Sequence, residues 1–208
     1  MGAPGSGKGT QAEKLMSEFD CRQISTGVLL RQSIESGSDL GHKVQKIMSE
    51  GLLVSDDIVL DLIKNELSEI GDDGFLLDGY PRNISQAKSL KDLLETINKP
   101  LDYTILINVP SEILIKRLSG RRTCSLTGKT LNIYFSSQSE LDECLSNGGE
   151  LLQREDDNED SIIKRIEVYE EQTKPMIDFY RSAELLLTID GQGPADEVYL
   201  RLKKLMEL

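Results

Sequence analysis

Small residues and glycines fill positions 2–10, and one lysine stands among them. Glycines let the backbone curl so that several N–H groups point at one spot, and a following helix adds positive partial charge there. Gly2, four intervening residues and then Gly7 and Lys8 fit the phosphate-binding pattern G-x-x-x-x-G-K. Gly9 stands where that pattern has Ser or Thr, and Thr10 follows it. This loop predicts a site for the phosphates of a nucleotide.

Arginines recur in segments that lie far apart in the sequence. A phosphoryl transfer between two nucleotides needs no general base when the attacking group is already a phosphate anion. It needs positive charge around two polyanions, and guanidinium groups suit phosphate oxygens well. Any one of these arginines is most simply a solvated surface charge, so the hypothesis depends on their meeting in one cleft.

A carboxylate follows the apolar run GFLLD, which ends at Asp78. Such a run predicts a buried strand that delivers Asp78 to the carboxyl edge of a parallel sheet, where open α/β sheets bind ligands. A carboxylate at that edge can hold Mg²⁺ through the ion's water molecules. Asp78 is therefore the metal-binding candidate, and capping of the strand end is its plainer alternative.

Apolar runs of strand length alternate with helical segments, which indicates an α/β fold of the P-loop NTPase type, a parallel sheet flanked by helices. Residues 120–155 interrupt this alternation with Ser, Thr, Gly and Asn, and predict an inserted lid. A buried strand should precede the glycine loop, yet only Met1 does, so the first strand is expected to be missing from this sequence. The predicted strands are 21–25, 74–78, 103–109 and 184–190, and the predicted helices are 7–19, 26–35, 39–50, 55–70, 83–98, 110–119, a long one over 158–180 and one that opens at Pro194.

Composition limits the classes of partner. The chain has 208 residues, enough for one domain with an inserted lobe, and a net charge of −12, which argues against nucleic acid and acidic membranes as partners. No apolar stretch reaches the length of a membrane span. Three cysteines are too few for a disulfide framework and predict a reducing compartment, the cytoplasm, although an incomplete N-terminus would leave organellar targeting open. A monomer is expected.

Four ordered segments, GAPGSGKGT, ISTGVLLR, GFLLDGYPRNISQ and REDDNEDSIIKR, together resemble the adenylate kinase family. The resemblance runs along the whole chain and includes an insertion of the size of the family's long lid. It implies reversible, Mg²⁺-dependent transfer of the terminal phosphoryl group of ATP to AMP. It also implies three parts, namely a CORE domain of residues 1–24, 55–119 and 158–208, an AMP-binding lobe of residues 25–54, and a LID domain of residues 120–157.

The same resemblance implies a role for each matching residue. The residues expected to act in catalysis are Lys8, Arg82, Arg117, Arg154 and Arg165. The residues expected to bind ATP are Gly5, Ser6, Gly7, Lys8, Gly9, Thr10, Arg117, Arg121 and Gly193. The residues expected to bind AMP are Thr26, Gly27, Arg31, Val54, Gly79, Arg82, Gln86, Arg154 and Arg165. Arg154 and Arg165 should bridge the transferred group, and the Gln86 amide should read the edge of adenine.

The lid departs from the family pattern. Many relatives hold zinc there with paired cysteines, but here Thr127 and Asn147 stand at two of the four positions, beside Cys124 and Cys144. A hydroxyl and an amide are poor zinc ligands, so no zinc is expected. A disulfide between the two cysteines is possible, but a reducing compartment disfavours it.

Other departures leave alternatives open. Val28 and Leu52 replace an Asp and a Lys in the AMP lobe, and altered affinity or lobe motion is expected from them. Leu131 and Asn132 replace a Tyr-His pair that contacts the donor base, so GTP stays an alternative to ATP. A decayed or truncated nucleotide-binding paralogue is the rival from another class. A GTPase-type switch is not favoured, because NKPLD over residues 98–102 has its Asp one position too late for N-K-x-D.

Overall fold

The computed structural model describes residues 1–71 and 73–207, so Asp72 and Leu208 of the expected CORE domain lie outside the described residues. Helices and strands alternate, as the apolar pattern predicts. In chain order the elements are α1 (Lys8–Glu18), β1 (Cys21–Ser25), α2 (Thr26–Glu35), α3 (Asp39–Ser49), α4 (Asp56–Glu69), β2 (Gly74–Asp78), α5 (Ile84–Thr96), β3 (Thr104–Asn108), α6 (Ser111–Ser119), β4 (Arg121–Cys124), β5 (Thr130–Asn132), α7 (Gln138–Ser146), β6 (Leu151–Leu152), α8 (Glu159–Val168), α9 (Met176–Ser182), β7 (Leu186–Asp190) and α10 (Ala195–Met206).

The main strands are parallel and form two pairs, β1 with β2 and β3 with β7. In these pairs Ser25 lies beside Asp78, and Asn108 beside Asp190, so the carboxyl ends of all four strands carry polar groups. Met1 lies along the other edge of β3, where its carbonyl accepts from the Ile107 N–H at 3.0 Å. The backbone at Met1 is therefore hydrogen-bonded beside β3, where a strand preceding the glycine loop would lie.

Helices α2 and α3 form a helical hairpin that shares the larger hydrophobic core with α4 and α5. Val44 of α3, Ile63 of α4 and Leu90 of α5 are at most 1% exposed and belong to one cluster. Ser38 begins α3 by accepting a hydrogen bond from the Gly41 N–H, as an N-cap serine does. The lobe that carries α2 and α3 is therefore packed against the body of the protein.

A small antiparallel sheet, in the order β5-β4-β6, packs with α7 around a core of its own. Ser137 and Glu140 form a capping box that begins α7. Cys124 of β4 and Cys144 of α7 are joined by a disulfide and are nearly fully buried. The expectation against a disulfide therefore differs from the structure, because β4 and α7 bring the two residues together in this core.

The sequence prediction was wrong in two details. The predicted helix over 158–180 is divided: α8 ends at Val168, a π-helical turn covers Tyr169–Thr173, and α9 begins after Pro175. Proline lacks the N–H that a continuing helix needs, which accounts for the division. Ser55 precedes α4 without a side-chain capping bond. Within the described residues, no helix has the length and apolar character needed to cross a lipid bilayer.

Candidate active site

The glycine loop closes around the side chain of Lys8. Gly5 and Gly7 have φ values of 82° and 98°, which a glycine adopts without strain. The Lys8 ammonium donates to the carbonyls of Gly2 at 2.8 Å and Ala3 at 3.0 Å. Burial, with Arg82 nearby, lowers the pKa of Lys8 to about 8, although the charge of Asp78 opposes this shift. Lys8 therefore places a positive charge in the loop and forms no ion pair among the described residues, although the charge of Asp78 acts on it.

Asp78 lies at the end of β2 and faces this loop. Its Oδ2 accepts a hydrogen bond from the Gln23 amide at 3.2 Å, and a Cβ on Gly9 would come within 3.6 Å of it. In the described part of the chain no group of three or more His, Cys, Asp or Glu side chains could hold a metal ion directly. One carboxylate beside a phosphate-binding loop fits Mg²⁺, which keeps most of its waters and takes its remaining oxygens from phosphates.

Arg121 and Arg165 are held by an acidic pair. Asp157 is 1% exposed, and its carboxylate accepts from Arg121 Nε at 2.6 Å and from Arg165 Nη1 at 3.1 Å. Arg165 also bonds Asp156 Oδ2 at 2.9 Å. Arg165 and Arg121 hold the pKa of Asp156 below its usual value even though burial alone would raise it. No role for Asp156 and Asp157 was predicted from the sequence. The signal that could have indicated one is that these two acidic residues are adjacent and follow Arg154 and Glu155 directly.

Arg31, Arg82 and Arg154 differ in having no ion pair among the described residues. Arg82 donates from Nε to the Gly79 carbonyl at 2.7 Å, while Arg31 lies against Gly27. Burial lowers the pKa of each, and neighbouring arginines lower it further, to about 10 for Arg154. Partly buried cations without an ion pair favour an anionic ligand that supplies the missing charge.

A cavity lies beneath α2 and the end of α3, and all the predicted AMP-site residues except Arg154 line it, together with the chain around position 52. We refer to this cavity as the acceptor pocket, after the sequence-based prediction. The side-chain amide of Gln86 makes two hydrogen bonds there, which use one of its two N–H groups and one of its two oxygen lone pairs. Its Oε1 accepts from the Arg82 N–H at 2.7 Å, and its Nε2 donates to Asp56 Oδ1 at 2.8 Å. The amide is thus already bonded on both sides, which the sequence did not reveal. Leu52 also lines this pocket.

A larger cleft of about 1100 Å³ adjoins the acceptor pocket and contains the glycine loop. On its far side Arg117 donates to the carbonyls of Ser6 at 3.3 Å and Gly191 at 3.0 Å, and its guanidinium lies 5.9 Å from the centre of the Phe135 ring. Asn132 donates to the Arg117 carbonyl at 2.8 Å, which joins the small sheet to α6. This region can receive a flat, apolar group such as a nucleobase.

The structure brings all the predicted site residues to these two cavities. The residues that line both cavities are Gly27, Arg31, Gly51, Leu53, Gly79, Arg82 and Arg165. The residues of the predicted site that line only the larger cleft are Gly5, Ser6, Gly7, Lys8, Gly9, Thr10, Asp78, Arg117, Arg121, Arg154 and Gly193. Thr26, Val54 and Gln86 line only the acceptor pocket. Cationic groups therefore stand where the two cavities meet.

A phosphate-binding loop at the end of a parallel sheet, with partly buried arginines between two adjoining cavities, defines a nucleotide phosphotransferase. The family model for adenylate kinase matches residues 1–185. A curated adenylate kinase of Thermodesulfovibrio yellowstonii is 44% identical over 208 residues, 100% of this chain and 97% of that protein. A curated adenylate kinase of Methanocella arvoryzae is 46% identical over 203 residues, which cover 97% of this chain and 94% of that protein. A curated adenylate kinase of Nitrosococcus oceani is 42% identical over 211 residues, which cover 100% of this chain and 96% of that protein.

The chain belongs to the adenylate kinase family. It is accordingly an enzyme, a nucleoside monophosphate kinase, and the resemblance inferred from the four sequence motifs is confirmed.

Proposed function

We propose that this enzyme transfers the terminal phosphoryl group of ATP to AMP, reversibly, giving two molecules of ADP. The observation that carries the proposal is a group of partly buried arginines without ion pairs among the described residues: Arg31 and Arg82 line both cavities, and Arg154 lines the larger cleft. Relatives that match nearly the whole chain are named adenylate kinase, which supports ATP as donor and does not favour GTP or a decayed paralogue.

The proposed chemistry needs no base from the protein. An AMP phosphate bound by Arg31 and Arg82 is already an anion and can attack the γ-phosphorus in line. Lys8 and Arg121 bind the donor phosphates, while Arg154 and Arg165 bind the oxygens on which charge grows during transfer. Hydrogen bonds within the protein already hold the guanidinium groups of Arg82, Arg121 and Arg165, so these groups need little reorganisation when the charge develops.

Mg²⁺ belongs to the proposal as the ion that would neutralise part of the charge of the donor phosphates. Asp78 would hold it through water, and Thr10 lines the same cleft. Gln23 fixes the orientation of the Asp78 carboxylate by its hydrogen bond to Oδ2.

The three-part division of the chain is also a proposal. In it, residues 120–157 form a lid that closes over the donor, residues 25–54 form the acceptor lobe, and the remainder forms the core. Water can attack the γ-phosphorus as a phosphate does, so closure is needed to exclude it. The compact disulfide-linked core of the small sheet supports its movement as one unit. A monomer in the cytoplasm remains part of the proposal and rests on the sequence alone.

The test is a coupled assay of ADP formation with ATP or GTP as donor and AMP, CMP, UMP or GMP as acceptor. We expect the highest kcat/KM with ATP and AMP. A second measurement uses a chain in which residues 123–152 are replaced by a short linker, and it should lose transfer while its ATP hydrolysis rises relative to transfer. Preference for another nucleotide pair would refute the substrate assignment, and full transfer without added hydrolysis would refute the role of the lid.

A further inference from the structure

The last residue of α3 makes a contact with α8 that the proposed chemistry does not use. Ser161 is 4% exposed, and its hydroxyl donates to the carbonyl of Ser49 at 2.6 Å. Ser49 ends α3, so its carbonyl has no partner within the helix, and the hydroxyl satisfies it. This hydrogen bond joins residues that are 112 positions apart in the sequence.

The chain that follows Ser49 is pressed against the same helix. Gly51 has a φ of 73°, and a Cβ there would lie 2.8 Å from the carbonyl oxygen of Ser161 and 2.9 Å from Cγ of Arg165. Arg165 is one helical turn beyond Ser161, on the same face of α8. The turn after α3 therefore lies directly on the part of α8 that carries Arg165.

The segment held in this way forms a wall of the acceptor pocket. Gly51, Leu52, Leu53 and Val54 all line that pocket, and Arg165 lines it from the side of α8. Asn158 begins α8 by accepting from the Ser161 N–H at 2.9 Å, so the serine itself sits in a fixed first turn.

We propose that Ser161 is a positioning residue for the acceptor nucleotide. Its hydroxyl holds the end of α3, and with it the wall formed by residues 51–54, at a fixed distance from Arg165. This inference rests on the proposed function, because it assigns the pocket to AMP. Without this hydrogen bond, residues 51–54 must become ordered when AMP binds, so the affinity for AMP should fall. Ser161 does not reach the donor site, so the affinity for ATP should not change.

The test compares Ser161→Ala with Ser161→Thr, which keeps a hydroxyl, and with Ser36→Ala, which removes an exposed hydroxyl that bonds only the Ser33 carbonyl at the end of α2. Steady-state kinetics give KM for AMP and for ATP, and calorimetry gives the Kd for AMP without donor. Ser161→Ala should raise KM and Kd for AMP about threefold to tenfold, the effect of one buried neutral hydrogen bond. KM for ATP should stay within error, and Ser161→Thr should restore most of the affinity.

Equal changes in both KM values, or unchanged AMP binding with a lower melting temperature, would overturn the proposal and leave Ser161 as a helix cap alone. If Ser161→Ala does not fold, Ser161→Cys replaces it, because the thiol is of similar size and is a weaker hydrogen-bond donor. The same two quantities, AMP affinity and KM for ATP, are then measured. A wild-type chain that binds AMP but forms no ADP would refute the proposed function instead, and calorimetry would still test Ser161.

Discussion

Arginines on the two sides of the site differ in what balances their charge. Arg121 and Arg165 share the buried carboxylate of Asp157, whereas Arg31, Arg82 and Arg154 are partly buried and have no ion pair among the residues described. A paired guanidinium is held in place before the substrate arrives. An unpaired one costs stability in the empty enzyme and gains its partner when phosphate binds. The first group should therefore support the fold, and the second should mainly support catalysis.

The largest expected effect is the loss of activity on removing an unpaired arginine. Arg82→Ala should lower kcat/KM by about 100- to 1000-fold, because the proposed function places Arg82 on the acceptor phosphate. The melting temperature without substrate should not fall, since a partly buried cation without an ion pair has been removed. Coupled assays measure kcat/KM, and thermal unfolding measures the melting temperature. Arg22→Ala, which changes a surface arginine near Glu66 and Glu69, should leave the activity unchanged. Retained transfer in Arg82→Ala would remove Arg82 from the site.

Loss of the shared carboxylate should affect the fold. Asp157→Asn leaves Arg121 and Arg165 buried with less compensation and should lower the free energy of unfolding by about 3 to 5 kcal/mol. Denaturant unfolding measures it. The matched control is Asp196→Asn, which removes a surface pair with Lys14 and should cost less than about 1 kcal/mol. Equal effects of the two substitutions would contradict the distinction between paired and unpaired groups.

Donor affinity should depend on pH through Lys8. The pKa of Lys8 is about 8 in the empty enzyme, and a bound polyphosphate raises it, so the charged form binds more tightly. The contribution of Lys8 to ATP affinity should be nearly constant below about pH 7, fall about twofold by pH 8, and approach a limiting slope of about tenfold per pH unit above it. Calorimetry in buffers of different ionisation enthalpy should detect proton uptake near pH 9. In Lys8→Arg, which stays charged, the slope should disappear; a persistent slope would assign it to another group.

The smallest effect on activity is expected from the disulfide. It closes a segment with a sequence separation of 20, so removing it in Cys124→Ser with Cys144→Ser should destabilise the small sheet by about 3 kcal/mol. Hydrogen exchange should increase in β4, β5 and α7 and stay unchanged in β3. Because the arginine pairs lie outside this core, transfer should fall only modestly. Cys21→Ser, which alters a free cysteine, is the control. Unchanged exchange in β4 would show that the disulfide does not stabilise this sheet.

Local sequence patterns predicted the strands and most helices well. The bounds of β1, β2 and α2 agree with the prediction to the residue, because apolar runs and capping residues act within a few positions. The predicted continuous helix over 158–180 failed because it overlooked Pro175, and the π-helical turn before it lets Thr173 donate to the Arg82 carbonyl at 2.7 Å.

Pairings between distant residues were harder to predict. The four motifs indicated which residues line the site, but they gave no sign that the Gln86 amide bonds Asp56 or that Asp157 joins two arginines. Such bonds depend on how separate elements pack, and sequence spacing carries no information on that. The disulfide was not expected for a different reason. The expectation rested on the redox state of the predicted compartment, whereas the pairing follows from the packing of Cys124 against Cys144 in one small core.

Lys8 already bonds the loop carbonyls of Gly2 and Ala3 in the empty enzyme. The conformation of the glycine loop is therefore fixed by hydrogen bonds within the protein, and the nucleotide binds to a preorganised loop. Binding then exchanges one set of hydrogen bonds for another, so the rate of capture should be governed by diffusion and by the opening of the cleft, with no delay for shaping the loop.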